Sequence, residues 1–251
     1  MIAEALTQSL NRLRLKGLLE TLDVRLEQAE KESLTASDFL QLVLQDEVSR
    51  RDAESLAKRL RTAKFESQYT FDNLLLEHYP SHIKRNVRDL QAGNYLSENK
   101  SVIIMGPTGT GKTHLAHALG HVACCKGIST LFIRSNTLLR TLQSSRADLS
   151  WSKEFNKYLK PRLLILDDFA LKAMTPEQAE DVYELIAEQH DRSSFIITSN
   201  RTVDAWVKLF PDPVMANAAL DRLANNAYQI VLEGESYRKK NRPTQQIACN
   251  D

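Results

Sequence analysis

The eight residues Gly106-Pro107-Thr108-Gly109-Thr110-Gly111-Lys112-Thr113 restrict this chain more than any other segment. They satisfy G-x-x-x-x-G-K-[ST] and stand directly after the apolar run VIIM and directly before HLAHALGHVA, a strand-then-helix setting. Glycines in such a loop let successive backbone N–H groups converge on phosphate oxygens, and the helix that follows adds the positive end of its dipole. Lys112 is expected to reach the β and γ phosphates, and the Thr113 hydroxyl to serve as a ligand of Mg²⁺. The four fixed positions recur by accident in about one chain per hundred of this length. The flanking strand and helix make a chance match rarer still. ATP and Mg²⁺ are therefore the expected cofactors.

The rhythm of the surrounding sequence agrees. Short apolar runs at 101–105, 130–133, 163–166, 195–198 and 229–232 alternate with helix-length segments, the pattern of a parallel sheet covered by helices on both faces. The third run, Leu163-Leu164-Ile165-Leu166, ends in Asp167-Asp168 and fits a Walker B strand. In that reading Asp167 holds Mg²⁺ partly through water, and Asp168 orients or deprotonates the attacking water. Taken alone, two acids after a strand are equally a solvated turn. The fourth run ends in Ser199-Asn200; if that strand lies between the other two, Asn200 meets the γ-phosphate or the nucleophilic water, and otherwise it is a turn-forming asparagine.

At 251 residues the chain has room for one nucleotide-binding domain and a small appendage. From residue 6 to about 64, leucines at near-helical intervals predict an all-helical domain over 1–65, with Thr35 and Asp38 as a capping box. The stretch 31–64 holds neither glycine nor proline, so one long helix and two helices with a polar joint both fit. Residues 66–99, with Pro80, Gly93 and several Asn and Ser, read as a linker with a short helix around 83–90, and 100–251 as the nucleotide-binding domain. The three cysteines, Cys124, Cys125 and Cys249, match neither a disulfide framework nor a zinc spacing and are expected to be reduced. No stretch approaches the roughly 18 apolar residues of a membrane span, and no signal-peptide core opens the chain, so a cytoplasmic protein is expected.

With MGPTGTGKTHLAHALG, LLILDDF and FIITSNR the chain carries DPVMANAALDRL and IVLEGESYRKK. These segments resemble the IstB-type ATPases encoded beside the transposase in two-gene insertion sequences, relatives of the DnaC and DnaA initiator and loader branch of AAA+ proteins. LRLKGLLETLDVRL and DEVSRRDAESLAKRLRTAKF are similar to that family's helical leader. The resemblance implies an α/β P-loop AAA+ domain, with a five-stranded parallel sheet sandwiched by helices and a small all-α domain before it. It makes Asn200 the sensor-1 residue, Arg222 an arginine finger offered in trans to a neighbouring subunit's ATP, and Arg238 a sensor-2 arginine. Only about a dozen residues follow Arg238, too few for the usual helical lid. The segment near Phe71 and Leu74, or the N-terminal helices, is expected to close the site instead.

A formal net charge of +1 leaves any attraction to nucleic acid to local patches. Arg50, Arg51, Lys58, Arg59, Arg61 and Lys64 form one, and Arg238, Lys239, Lys240 and Arg242 another. Such runs are either solvated helix faces or phosphate contacts. The family implies the second, with Arg140, Arg146 and Lys153 as further DNA candidates, duplex DNA and a transposase as partners, and a homo-oligomer as the working form. Few aromatics interleave the basic runs, which favours duplex backbone contact over stacking on single strands. The alternatives are a replicative-helicase loader of the DnaC type, a small-molecule kinase and a protein that binds ATP without hydrolysing it.

Overall fold

Runs such as VIIM and LLIL can be buried on both faces only as central strands, and that is where they lie in a computed structural model describing residues 4–74 and 76–234. Five strands, β1 (Ser101–Met105), β2 (Thr130–Arg134), β3 (Leu163–Asp167), β4 (Ser194–Ser199) and β5 (Ala227–Val231), form one sheet of order β2-β3-β4-β1-β5. Every pairing is parallel. Strands β1, β3 and β4 are buried along their whole length, whereas the edge strands are buried only in part. β5 begins two residues before its apolar run, and the exposed Tyr228 and Gln229 pair with Val102 and Ile103.

Successive side chains of a strand face opposite ways, so the sheet divides its core in two. Ile103, Met105, Leu164, Leu166 and Ile197 point into one layer, covered by α7 (Ser135–Ala147), α8 (Trp151–Leu159), α9 (Pro176–Gln189), α10 (Val203–Val207) and α11 (Pro213–Ala224). Val102, Ile104, Leu163, Ile165 and Ile196 point into the other, beneath α6 (Lys112–Cys125), α4 (Ser81–Gln91) and α5 (Asn94–Ser97). The sheet and its helical cover are those of a P-loop AAA+ fold, and no lid domain is present among the described residues.

Residues 66–99 do more than link. Ile83, Val87 and Leu90 recur on one face of α4 and are buried with Leu74, Tyr79, Tyr95 and Leu96 in the second layer. The short helix expected around 83–90 is α4, and its apolar spacing determines the packing of this segment.

The chain divides into two compact units, Met1–Lys58 and Arg59–Asp251. In the first, α1 (Glu4–Arg12), α2 (Lys16–Glu32) and the N-terminal part of α3 (Ala36–Ala63) close a small core of Leu10, Leu18, Leu22 and Val43. Ser33, left-handed at φ 51°, ends α2, and the Asp38 N–H donates to Thr35 Oγ1 at 3.2 Å where α3 begins. The long stretch is thus one 28-residue helix preceded by a break.

Glu47 is the polar centre of this unit. It accepts from the Gly17 N–H at 2.6 Å, Arg50 Nη2 at 2.8 Å and Arg51 Nε at 2.6 Å. Arg50 foremost, with Arg51 and the Gly17 N–H, draws the Glu47 carboxyl down to about 2 against the cost of burial, and Arg25 does the same for Asp46. A carboxyl depressed by folding stabilises above its unfolded value and loses that contribution as pH falls through its folded value. The N-terminal unit is therefore expected to weaken progressively between about pH 4.5 and about pH 2. Glu47→Gln should lower its stability at pH 7 and shrink that acid dependence, read from urea midpoints at pH 7, 5 and 3; an unchanged acid dependence would remove Glu47 as its source.

Candidate nucleotide-binding site

Strand β4 lies between β1 and β3, so the loop after β1, the carboxylates after β3 and Asn200 after β4 meet at the same edge of the sheet. They line a cleft of about 510 Å³. Two glycines are indispensable to the loop's path. Gly106 sits at φ 146°, where a Cβ would lie 2.2 Å from the Leu232 carbonyl oxygen, and Gly111 at φ 91°, where a Cβ would lie 2.5 Å from the Tyr79 hydroxyl oxygen. That hydroxyl donates to the Thr110 carbonyl at 3.1 Å and ties residues 66–99 to the loop.

Thr113 Oγ1 donates to Asp167 Oδ1 at 2.9 Å, and Thr198 Oγ1 donates to the same oxygen at 2.6 Å. The Asp168 N–H in turn donates to Thr198 Oγ1 at 3.0 Å. One hydroxyl on β4 thus sets both carboxylate residues. Asp168 lies at φ 55°, a left-handed conformation that aspartate tolerates better than most residues, and it lines the cleft together with Asn200. Lys112, mostly buried, donates from Nζ to the Pro107 carbonyl at 2.7 Å and so bends back over the loop, and Thr110 Oγ1 donates to the same carbonyl at 2.9 Å. Thr113 and Asp167 offer adjacent hard oxygen donors, a pair whose chemistry fits Mg²⁺.

Several lining residues carry no motif. Tyr69 stacks on His114 with ring centroids 4.4 Å apart, and His114 Nε2 lies 2.8 Å from Asn73 Oδ1; burial lowers the His114 pKa. Leu74 borders the same cleft, while Phe71 packs against the core beneath. Arg134, at the end of β2 and opposite Asp167 in register, also faces the cleft and is ion-paired with Glu66. The aromatic density of 65–79 was the sequence signal for this wall; Arg134 had none.

Arg222, near the end of α11, lies far from these residues. It borders a small cavity with Ser101 and Phe195, at the starts of β1 and β4, whereas the phosphate loop follows their ends. A five-residue strand separates the two by about 16 Å. Arg238 and the C-terminal basic run lie outside the described residues. Among the DNA candidates, Arg50 and Arg51 are held by Glu47, and Arg59 Nε donates to the Cys124 carbonyl at 2.8 Å. Arg146 is ion-paired with the buried Asp181 and lies 5.0 Å from the Trp151 ring centroid. Lys58, Arg61, Lys64, Arg140 and Lys153 are exposed. Cys124 is buried and Cys125 exposed, both as free thiols. No helix among the described residues is long and apolar enough to cross a membrane.

The sheet order, the loop after β1 and the paired acids after β3 define a P-loop protein of the AAA+ class. Solved structures share the fold: that of DnaI covers 66% of this chain and 92% of its own at TM-score 0.59 and 18% identity. The DnaC helicase loader covers 70% and 99% at TM-score 0.53 and 21% identity. The chain belongs to the family of IstB-like ATP binding proteins, whose model matches residues 8–245. Among its relatives is an insertion-sequence ATP-binding protein of Mycobacterium tuberculosis, 42% identical over 95% of this chain and 96% of the relative. An IS21 ATP-binding protein of Pseudomonas aeruginosa is 32% identical over 92% and 87%.

Proposed function

We propose that this chain is an ATPase that assists DNA transposition, assembling with copies of itself on duplex DNA in an ATP-dependent way and engaging a transposase. The observation that carries the reading is the convergence of Lys112, Thr113, Asp167, Asp168 and Asn200 on one cleft in a chain related along nearly its whole length to insertion-sequence ATP-binding proteins. The backbone of 106–113 cradles the phosphates. Lys112 exchanges the Pro107 carbonyl for phosphate oxygens, a charge-assisted contact stronger than the one it leaves. Thr113 and Asp167 would hold Mg²⁺, which would supply charge neutralisation during phosphoryl transfer. Asp168 accepts a proton from, or orients, the attacking water, and Asn200 steadies the γ-phosphate. Tyr69, His114, Asn73 and Leu74 form the wall that takes the place of a lid.

DnaI and DnaC share the fold at about a fifth identity, whereas insertion-sequence ATP-binding proteins reach 42% identity; this favours the transposition reading. The test is a pull-down of the full chain with ATP and duplex DNA against the insertion sequence's transposase and, in parallel, a replicative helicase. Capture of the helicase alone would establish the loader reading, and phosphorylation of a small acceptor without any DNA effect would establish a kinase.

For DNA, the engaged guanidiniums of Arg50 and Arg51 leave Arg61 and Lys64 as the exposed cations nearest the end of α3. If these two contact phosphates, log affinity falls with log salt at a slope of about −1.8 per subunit, roughly twelvefold between about 50 and 200 mM. Arg61→Glu with Lys64→Glu should weaken binding to unrelated duplexes alike and flatten that slope. Tight binding should also require ATP, because weak contacts sum only in an assembly. Anisotropy at several salt concentrations, with ATP, with ADP and without nucleotide, measures both; an unaltered slope in the double variant would move the surface towards Arg140 and Lys153.

A further inference from the structure

Several arginines of the described chain are tied down by carboxylates. Arg25 pairs with Asp46, Arg50 and Arg51 with Glu47, and Arg146 with Asp181. Each such pair commits the N–H donors of the guanidinium, and an incoming anion would have to displace the carboxylate. Arg222 is held differently. Its guanidinium carbon lies 5.3 Å from the centroid of the Tyr183 ring, and its Nη1 is buried with no hydrogen-bond acceptor among the described residues. An aromatic face attracts the cation and orients its plane without consuming a single N–H.

The two residues stand on a stiff mount. Tyr183 projects from α9 and Arg222 from the last turn of α11, and these helices are locked together by Ala179, Val182 and Ile186 on one side and Ala216, Ala219 and Leu223 on the other, all buried. The pair sits at the edge of the sheet where β1 and β4 begin, too far from this chain's own phosphate loop to act there. A buried donor without an acceptor costs free energy, and because the Arg222 side chain is only half-buried, a small reorientation over the ring would bring that donor to an anion from outside the chain.

The geometry points to Tyr183 as a positioning residue that holds Arg222, through its ring face, for the phosphates of ATP bound by a second copy of the chain. This inference rests on the reading of Arg222 as a finger acting in trans. The ring supplies orientation and Arg222 supplies charge. Removing the ring should therefore slow turnover without touching the affinity of the chain's own cleft for nucleotide.

The test compares Tyr183→Phe, Tyr183→Leu, Tyr183→Met, Arg222→Ala and the double variant Tyr183→Leu/Arg222→Ala in the full chain with saturating duplex DNA. Tyr183→Leu and Tyr183→Met are expected to lower kcat about tenfold with little change in binding of a fluorescent ATP analogue. Tyr183→Phe, which keeps the ring, should stay within about twofold of the parent. The double variant should be no slower than Arg222→Ala. Thermal melts identify a variant that is slow because it is unfolded, and two ring-free variants guard against that outcome in either. Parent-like kcat in the ring-free variants, equal losses in Phe and Leu, or a further loss in the double variant would each overturn the inference. A parent-like rate in Arg222→Ala would instead overturn the finger reading on which it rests.

Discussion

Lys112→Ala is expected to abolish ATP binding, whereas Asp168→Asn is expected to bind ATP like the parent and to hydrolyse it about 10²–10⁴ times more slowly. The two residues border one cleft but meet different parts of the reaction. Lys112 is a mostly buried ammonium at the first turn of α6, and no other side chain of the phosphate loop carries charge. Its loss leaves phosphate oxygens without their cation. Asp168 is set by Thr198 through its backbone N–H, so an asparagine keeps the turn and the shape of the cleft while losing the basic oxygen. Titration with labelled ATP and steady-state hydrolysis separate the two. Equal losses of binding in both variants would refute the division of roles. Holding ATP without spending it, the Asp168→Asn variant should also accumulate as the DNA-bound assembly.

Arg222→Ala should reduce DNA-stimulated hydrolysis about 10³-fold, the lower end of what an arginine finger contributes. Its position beside the starts of β1 and β4 makes a cis role geometrically unavailable, so the loss should be complemented by mixing. In a mixture with Asp168→Asn, an interface that takes its finger from one variant and its carboxylate from the other is intact. Neither variant alone has such an interface. Activity of the mixture above that of both components, with mixed assembly confirmed by differential tagging, is the expected result; activity that never rises at any ratio would show that the arginine does not work across subunits.

Local patterns carried the site's phosphate end because its chemistry is local. Eight consecutive residues form the loop, and the acids and Asn200 each end an apolar strand, so their placement follows once the strands are ordered. The wall opposite is assembled from Tyr69, Asn73 and Leu74, outside any motif, meeting His114 on α6. Their spacing is irregular, and what unites them is a fold-back over the loop, secured where Tyr79 reaches the Thr110 carbonyl.

Charge is likewise redistributed by partners that the linear run does not show. Arg50 and Arg51 open a basic run, but Glu47, three and four residues before them on the same helix, takes up both. Arg146 likewise finds Asp181, 35 residues on, after α7 and α9 have packed.

By itself, then, the sequence determined what depends on neighbours along the chain: which runs become buried strands, where the phosphate loop bends, which acids end a strand, where α3 begins. Only the tertiary structure decided which cations are engaged, what covers the cleft and which end of the sheet Arg222 occupies. Backbone propensity and hydrophobic period act over a few residues, whereas an ion pair or a cavity wall requires residues tens of positions apart to be brought within a few ångströms, and a one-dimensional pattern does not encode that distance.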